Sequence, residues 1–231
     1  MIQKILDFLK ALAENNNREW FAAHRNDYLE AKDTFEHLVE KLIPIVLEID
    51  PSVGHLEIKD CTYRIYRDIR FSPDKRPYKT HMGAYINRRG KKSPYAGYYI
   101  HLDPTHGSLW GEGLYCPDAD TLRAVRMDIY DNIDEFLVLN NSLEKSGFVL
   151  SREDSLKKIP AGFPRDFPHG EFLKMKHYDM YRPITDDVLC DENRLIEESR
   201  RAFAAMMPMN RFLNYTIDET LPNIRSINNY L

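Results

Sequence analysis

Arg64, Arg67, Arg70, Lys75, Lys79 and His81 fall within one short stretch, YRIYRDIRFSPDKRPYKTH (63–81). Arginine presents a planar fork of donors matched to carboxylate or phosphate, and lysine adds a mobile point charge. The chemistry that such a group serves is the holding of an anion, and Asp68 among the cations is a further group to consider for proton transfer. Pro73 and Pro77 stiffen the connecting loop and lower the entropy cost of gathering like charges. Strand alternation would set Arg67 on one face with Tyr63, Ile65, Ile69 and Phe71. A guanidinium on an apolar face must be neutralised. Three outcomes stand open: a carboxylate of the protein meets it, a bound anion meets it, or a bulge turns it to solvent.

Proton transfer needs a titratable group beside that charge. His81 ends the stretch. His101 shares one strand face with Tyr99, and Asp103 follows. Glu112 stands between two glycines in WGEG, where absent side chains admit a close approach by ligand or backbone. His81, His101 and Glu112 are therefore the catalytic candidates. Arg64, Arg67, Asp68, Arg70, Lys75, Lys79 and Tyr99 are the ligand-binding ones. His101, Asp103 and His106 are near one another in sequence, but alternation followed by a turn does not secure convergence. No HExxH, paired-cysteine pattern, P-loop, dinucleotide glycine fingerprint or nucleophile elbow occurs, so neither a metal nor a cofactor is expected.

Several elements must position these residues. Ile2, Ile5, Leu6, Leu9 and Leu12 predict an amphipathic helix. Asn16 and Glu19 read as a capping pair for a second helix, whose apolar stripe runs from Trp20 to Val46 with a kink or end near Ile43, ahead of Pro44. Four antiparallel strands follow as a meander: 62–71, 81–87, 95–103 and 107–113. Gly90 supplies positive φ in the basic loop 88–94. Asp118 opens a helix running to Asn140 and Asn141. A short strand follows Gly147, the proline-rich stretch 158–170 is a loop, and YDMYRPIT is a strand. A last long helix around Leu195–Met207 ends at Pro208, with a short helix at 209–215. Segregated helices and strands predict an α+β fold, with an antiparallel sheet of four to six strands packed against N-terminal and C-terminal helices. The chain of 231 residues reads as a single domain: N-terminal helices 1–50, sheet region 60–114, and a C-terminal helical region with short strands, 117–231.

Net charge is −4, which excludes a uniformly basic nucleic-acid-coating protein. Residues 59–92 nevertheless hold eleven Lys/Arg against three Asp/Glu, so the acidic excess lies elsewhere. Three widely spaced cysteines suit a reducing compartment, and the expected location is cytoplasmic. The opening MIQKILDFLKALAENNN lacks the apolar core of a signal peptide. No run approaches the roughly 20 apolar residues of a membrane span. The Asn-x-Ser/Thr triplets at Asn140 and Asn214 read as incidental.

The segments NNNREWFAAHRNDY, YRIYRDIRFSPDKRPYKTHMGAYI, GYYIHLDP, WGEGLYCPDADTLRAVR and KIPAGFPRDFPHGEFLKMK occur in that order. Together they resemble the widespread bacterial family catalogued as domain of unknown function family 2461, over about residues 4 to 215. The matching positions are Arg64, Arg67, Asp68, Arg70, Phe71, Ser72, Lys75, Pro77, Tyr78, Lys79 and His81, then Gly111, Gly113, Pro117 and Arg126. Tyr115 is a mild departure from the family's aromatic before Pro117. The resemblance implies one intact domain and no particular reaction. Three functional readings remain: binding of a small phosphate- or carboxylate-bearing ligand, with or without catalysis; a structural or protein-docking role for the basic face; and nucleic-acid binding. Oligomeric state is left open.

Overall fold

The computed structural model describes residues 2–228, with the side chains of 221–228 excepted. Nine helices and five strands appear among the described residues, an α+β fold. The helices are α1 (Ile2–Glu14), α2 (Arg18–Ala23), α3 (Arg25–Ile49), α4 (Ile58–Cys61), α5 (Ala119–Asp131), α6 (Ile133–Lys145), α7 (Gly170–Lys174), α8 (Asp186–Leu189) and α9 (Glu192–Asn228). The strands are β1 (Met82–Asn87), β2 (Gly97–Leu102), β3 (Leu109–Leu114), β4 (Val149–Leu150) and β5 (Tyr178–Pro183). They form one antiparallel sheet in the order β1-β2-β3-β5-β4. The chain folds as two compact units: Met1–Lys91 with Tyr98–Gly111 and Pro183–Ala204, and Lys92–Gly97 with Glu112–Arg182 and Ala205–Leu231.

In the first unit, α1 packs along α3. Ile5, Leu9 and Leu12 are buried on one, and Phe35, Leu38, Val39 and Leu42 on the other. Of the kink or end expected near Ile43, the end does not occur: α3 runs through Pro44 to Ile49. A proline inside a helix costs about 3 kcal/mol. Leu42, Ile43, Ile45 and Val46 are all buried around it, and each such burial returns about 1.5–3 kcal/mol, so packing carries the helix through. The cap of α2 is Asn17, whose side chain accepts from the Trp20 N–H at 2.9 Å. Asn16 does something else: its amide donates to the Tyr78 carbonyl (3.0 Å) and accepts from the Tyr78 N–H (3.1 Å). Stacking of Phe21 on Tyr78 (centroids 4.0 Å) fixes the same junction.

The expected strand 62–71 is absent. Two isolated bridges, Thr62 to Ala84 and Tyr66 to Tyr78, are all the ladder that forms there. The Asp68 and Asp74 side chains accept from the N–H groups of Arg70 and Arg76, two residues on. Such local turns compete with strand pairing, and Pro73 and Pro77 remove donors. Alternation accordingly fails: Ile65 is buried while Phe71 is 94% exposed.

In the second unit, Phe136 of α6 is buried against Phe172, Tyr178 and Phe212. The helix expected from Asp118 to Asn141 is divided at Asn132, whose side chain bonds Asp128 and whose backbone leaves the helical region. The last helix continues through Pro208, with Met206, Met209, Phe212 and Leu213 buried about it. Asn214 pairs in both directions with the Ala96 backbone (2.8 and 3.1 Å). Asn140 and Asn214 are both buried, so neither triplet is a surface acceptor in the folded chain.

Candidate functional site

The 63–81 stretch balances most of its own charge. Arg67 pairs with Asp74, and Arg76 grips the same carboxylate at 2.8 Å. Arg70 holds Asp68 with two donors, at 2.9 and 2.6 Å. Lys75 donates to the Ile69 carbonyl at 3.0 Å. These pairs leave their mark on the carboxyls. The Arg70 hydrogen bonds lower Asp68 to about 2, and Arg76, then Arg67, hold Asp74 below the usual carboxylate range. Arg67 is thus met by the protein's own carboxylate, the first of its three outcomes.

Arg64 and Lys79 are different. Among the described residues neither has a carboxylate within ion-pair distance. Lys79 is half-buried with its ammonium 5.2 Å from the centre of the Tyr63 ring. Burial first, and then Arg64, lower its pKa. Arg64 and Tyr63 line a cleft of about 320 Å³ together with Tyr28 and Lys32 of α3, Lys59 of α4, and His81. The contribution of α3 carries no sequence signal, because it arises from a tertiary contact between segments far apart in the chain.

His81 connects this cleft to a second group in the same unit. Just ahead of β1, its ring stacks on that of His101 in β2, with centroids 4.3 Å apart. His101 Nδ1 lies 2.9 Å from the Tyr99 hydroxyl, and its Nε2 lies 3.6 Å from Asp103 Oδ2. Asp103 is 4% exposed. Its Oδ1 accepts from the N–H groups of Thr105 (2.7 Å) and His106 (3.1 Å), while His106 Nδ1 lies 3.2 Å from Oδ2. Burial alone would raise the Asp103 pKa. The nearby His101 imidazole, with hydrogen bonds from Thr105 and His106, outweighs it and holds the carboxyl below the usual range. His81 is pushed down to about 4 by burial, with His101 and Lys79 adding repulsion. A neutral imidazole and an ionised carboxylate therefore stand side by side at neutral pH.

Of the sequence-predicted residues, Arg64, Lys79, Tyr99, His81 and His101 are gathered around this cleft and histidine pair. Arg67, Asp68, Arg70 and Lys75 serve the loop's own pairs and turns. Glu112 belongs to the second unit. It is 3% exposed and neither carboxylate oxygen has a hydrogen-bond partner among the described residues. Burial, then Asp179, raise its pKa well above normal. At the glycine after it the backbone approaches closely: Gly113 has φ +93, and a Cβ there would stand 2.0 Å from the Tyr178 carbonyl oxygen. Asp103 was legible only as a neighbour in sequence, and its convergence with His81 needs the pairing of β1 with β2.

No helix among the described residues is long and apolar enough to cross a membrane. No curated protein and no solved structure matches the chain. The model of one family does, over residues 4–212, and its description is conserved hypothetical protein (DUF2461); the chain belongs to that family.

Proposed function

We propose that the cleft between α3 and the 63–65 segment binds a small anion bearing phosphate or carboxylate. Arg64 supplies charge from the wall, Lys79 adds charge from beside the Tyr63 ring, and His81 offers a neutral donor, while Lys32 of the same wall is already paired with Glu36. The observation that carries this reading is selective pairing. Nature has given Arg67, Arg70 and Arg76 carboxylates of their own, and Arg64 and Lys79 none among the described residues. A half-buried ammonium beside a guanidinium is a repulsive arrangement that an anion relieves. Three free thiols, one of them buried, suit a cytoplasmic setting.

The test is thermal unfolding in phosphate, sulfate and chloride at matched ionic strength. An anion at about tenfold its dissociation constant stabilises by about 1.4 kcal/mol, which for this size of chain moves the midpoint by roughly 3–5 °C. The wild type should show that shift with phosphate or sulfate, and the Arg64→Gln/Lys79→Gln double variant should not. Equal shifts in both proteins would reject the cleft as the site.

One observation favours a second reading. Phe71 is 94% exposed with the Arg70 guanidinium 5.9 Å from its ring centre, an aromatic anchor at the tip of a loop of mixed charge. Such a loop suits docking to a protein partner. Self-neutralised arginines weigh against a nucleic-acid groove, whose affinity comes from unpaired cations. A Phe71→Ala variant that loses a partner while keeping anion binding would support this second role.

A further inference from the structure

We propose that His81, His101 and Asp103 form a binding site for a divalent transition-metal ion of the zinc class. The inference stands apart from anion binding, although His81 lines the cleft and would present the metal to whatever enters it.

The donor atoms of the three residues all lie within 4.8 Å of one another. In a four-coordinate site with bonds of about 2.0–2.1 Å, neighbouring donors sit roughly 3.3 Å apart. His101 Nε2 and Asp103 Oδ2 are already 3.6 Å apart, too far for a hydrogen bond and near that spacing. Two imidazoles with one carboxylate suit zinc, iron(II), cobalt(II) or nickel(II), and not the all-oxygen preference of magnesium or calcium. Three protein ligands leave coordination positions open, as reactive metal sites do.

The surroundings are those of a prepared site. Two backbone N–H groups pin Asp103 Oδ1, and Oδ2 is turned toward His101 on one side, with His106 Nδ1 at 3.2 Å as its other neighbour. The Tyr99 hydroxyl engages His101 Nδ1 and leaves Nε2 as the ligating nitrogen, the outer partner that metal-bound histidines use. Room for that hydroxyl comes from Gly83, where a Cβ would stand 2.5 Å from it. An ion-free hydrogen-bond relay from Tyr99 through His101 to Asp103 is the competing account. It explains neither the stacking of His81 on His101 nor the long His101 to Asp103 separation.

The experiment uses the whole chain, stripped with EDTA and exchanged into buffer free of chelator and phosphate. Cobalt(II) is titrated while its visible d–d absorption is followed, and zinc(II) is titrated by calorimetry. Binding of one ion per chain is expected. His101→Ala and Asp103→Asn should lose it, the latter variant retaining an oxygen for the Thr105 and His106 turn. Tyr99→Phe should weaken binding about tenfold through loss of the outer partner. His37→Ala tests the exposed Asp33, His37 and Glu40 group on α3 and should leave affinity unchanged. Circular dichroism establishes that each variant is folded. Absent cobalt absorption in folded wild type, or equal binding in His101→Ala and Asp103→Asn, would overturn the site. Because no phosphate is present, failure here is separate from failure of anion binding at Arg64 and Lys79.

Discussion

The Tyr99 hydroxyl occupies the space that a Cβ on Gly83 would fill, and from there it reaches His101 Nδ1 at 2.9 Å. A side chain at 83 thus acts on His101 without touching it. Gly83→Ala should swing the phenol away. Overpacking of this kind costs typically 1–3 kcal/mol, at the low end here because the displaced group is the tip of one side chain. The His101 ring resonances in NMR should move to match those of Tyr99→Phe. Unchanged resonances would mean that the phenol does not set the orientation of the imidazole.

Asn16 and Tyr78 should prove a structural lock for the cationic loop. Truncation to Asn16→Ala removes two hydrogen bonds and strands the Tyr78 N–H and carbonyl, a loss of about 2–3 kcal/mol. Urea denaturation reads that loss. Hydrogen exchange at the Lys79 amide, which donates to Ile65 at 2.8 Å, should accelerate in the same variant.

Asp74 should separate the two clusters of cations. Replacement by Asn releases Arg67 and Arg76 together. If the anion is held by Arg64 and Lys79, phosphate affinity in the thermal assay should stay within about twofold, because neither Arg67 nor Arg76 lines the cleft and salt screens charges that are not in contact with the ligand. A rise well beyond that would return Arg67 to the binding group.

The raised carboxyls of the second unit should contribute less stability as pH rises through the acid range, against the gain from lowered ones such as Asp74 and Asp103. Burial raises Asp179 to about 6, and raises Glu112 well above its ordinary value. The folded chain keeps protons that the unfolded chain releases above about pH 4. The Asp179 contribution is therefore full below that pH and is lost as pH climbs through about 6. Asp179→Asn should remove on the order of 2 kcal/mol of this slope. Urea denaturation of variant and wild type should show their difference growing from pH 4 to pH 7; a constant difference would mean that Asp179 is already ionised in the fold.

Periodicity alone made much of this molecule legible. The apolar stripes of α1 and α3, the strands β1, β2 and β3, and the α+β order follow from where Ile, Leu and Val recur, because burial of those faces dominates the energy. The concentration of cations at 63–81 and the stiffness of its loop are likewise properties of the chain itself. Alternation could say which face Arg67 would share in a strand, but not that Asp68 and Asp74 would fold the backbone into local turns and neutralise the arginines one by one. Nor could it place His81 against His101 and Asp103. That meeting depends on the register between β1 and β2, and register is a long-range agreement among hydrogen bonds and buried side chains that no single segment carries. Helices through Pro44 and Pro208 make the same point: local propensity argued for an end, and the packing around each proline decided otherwise.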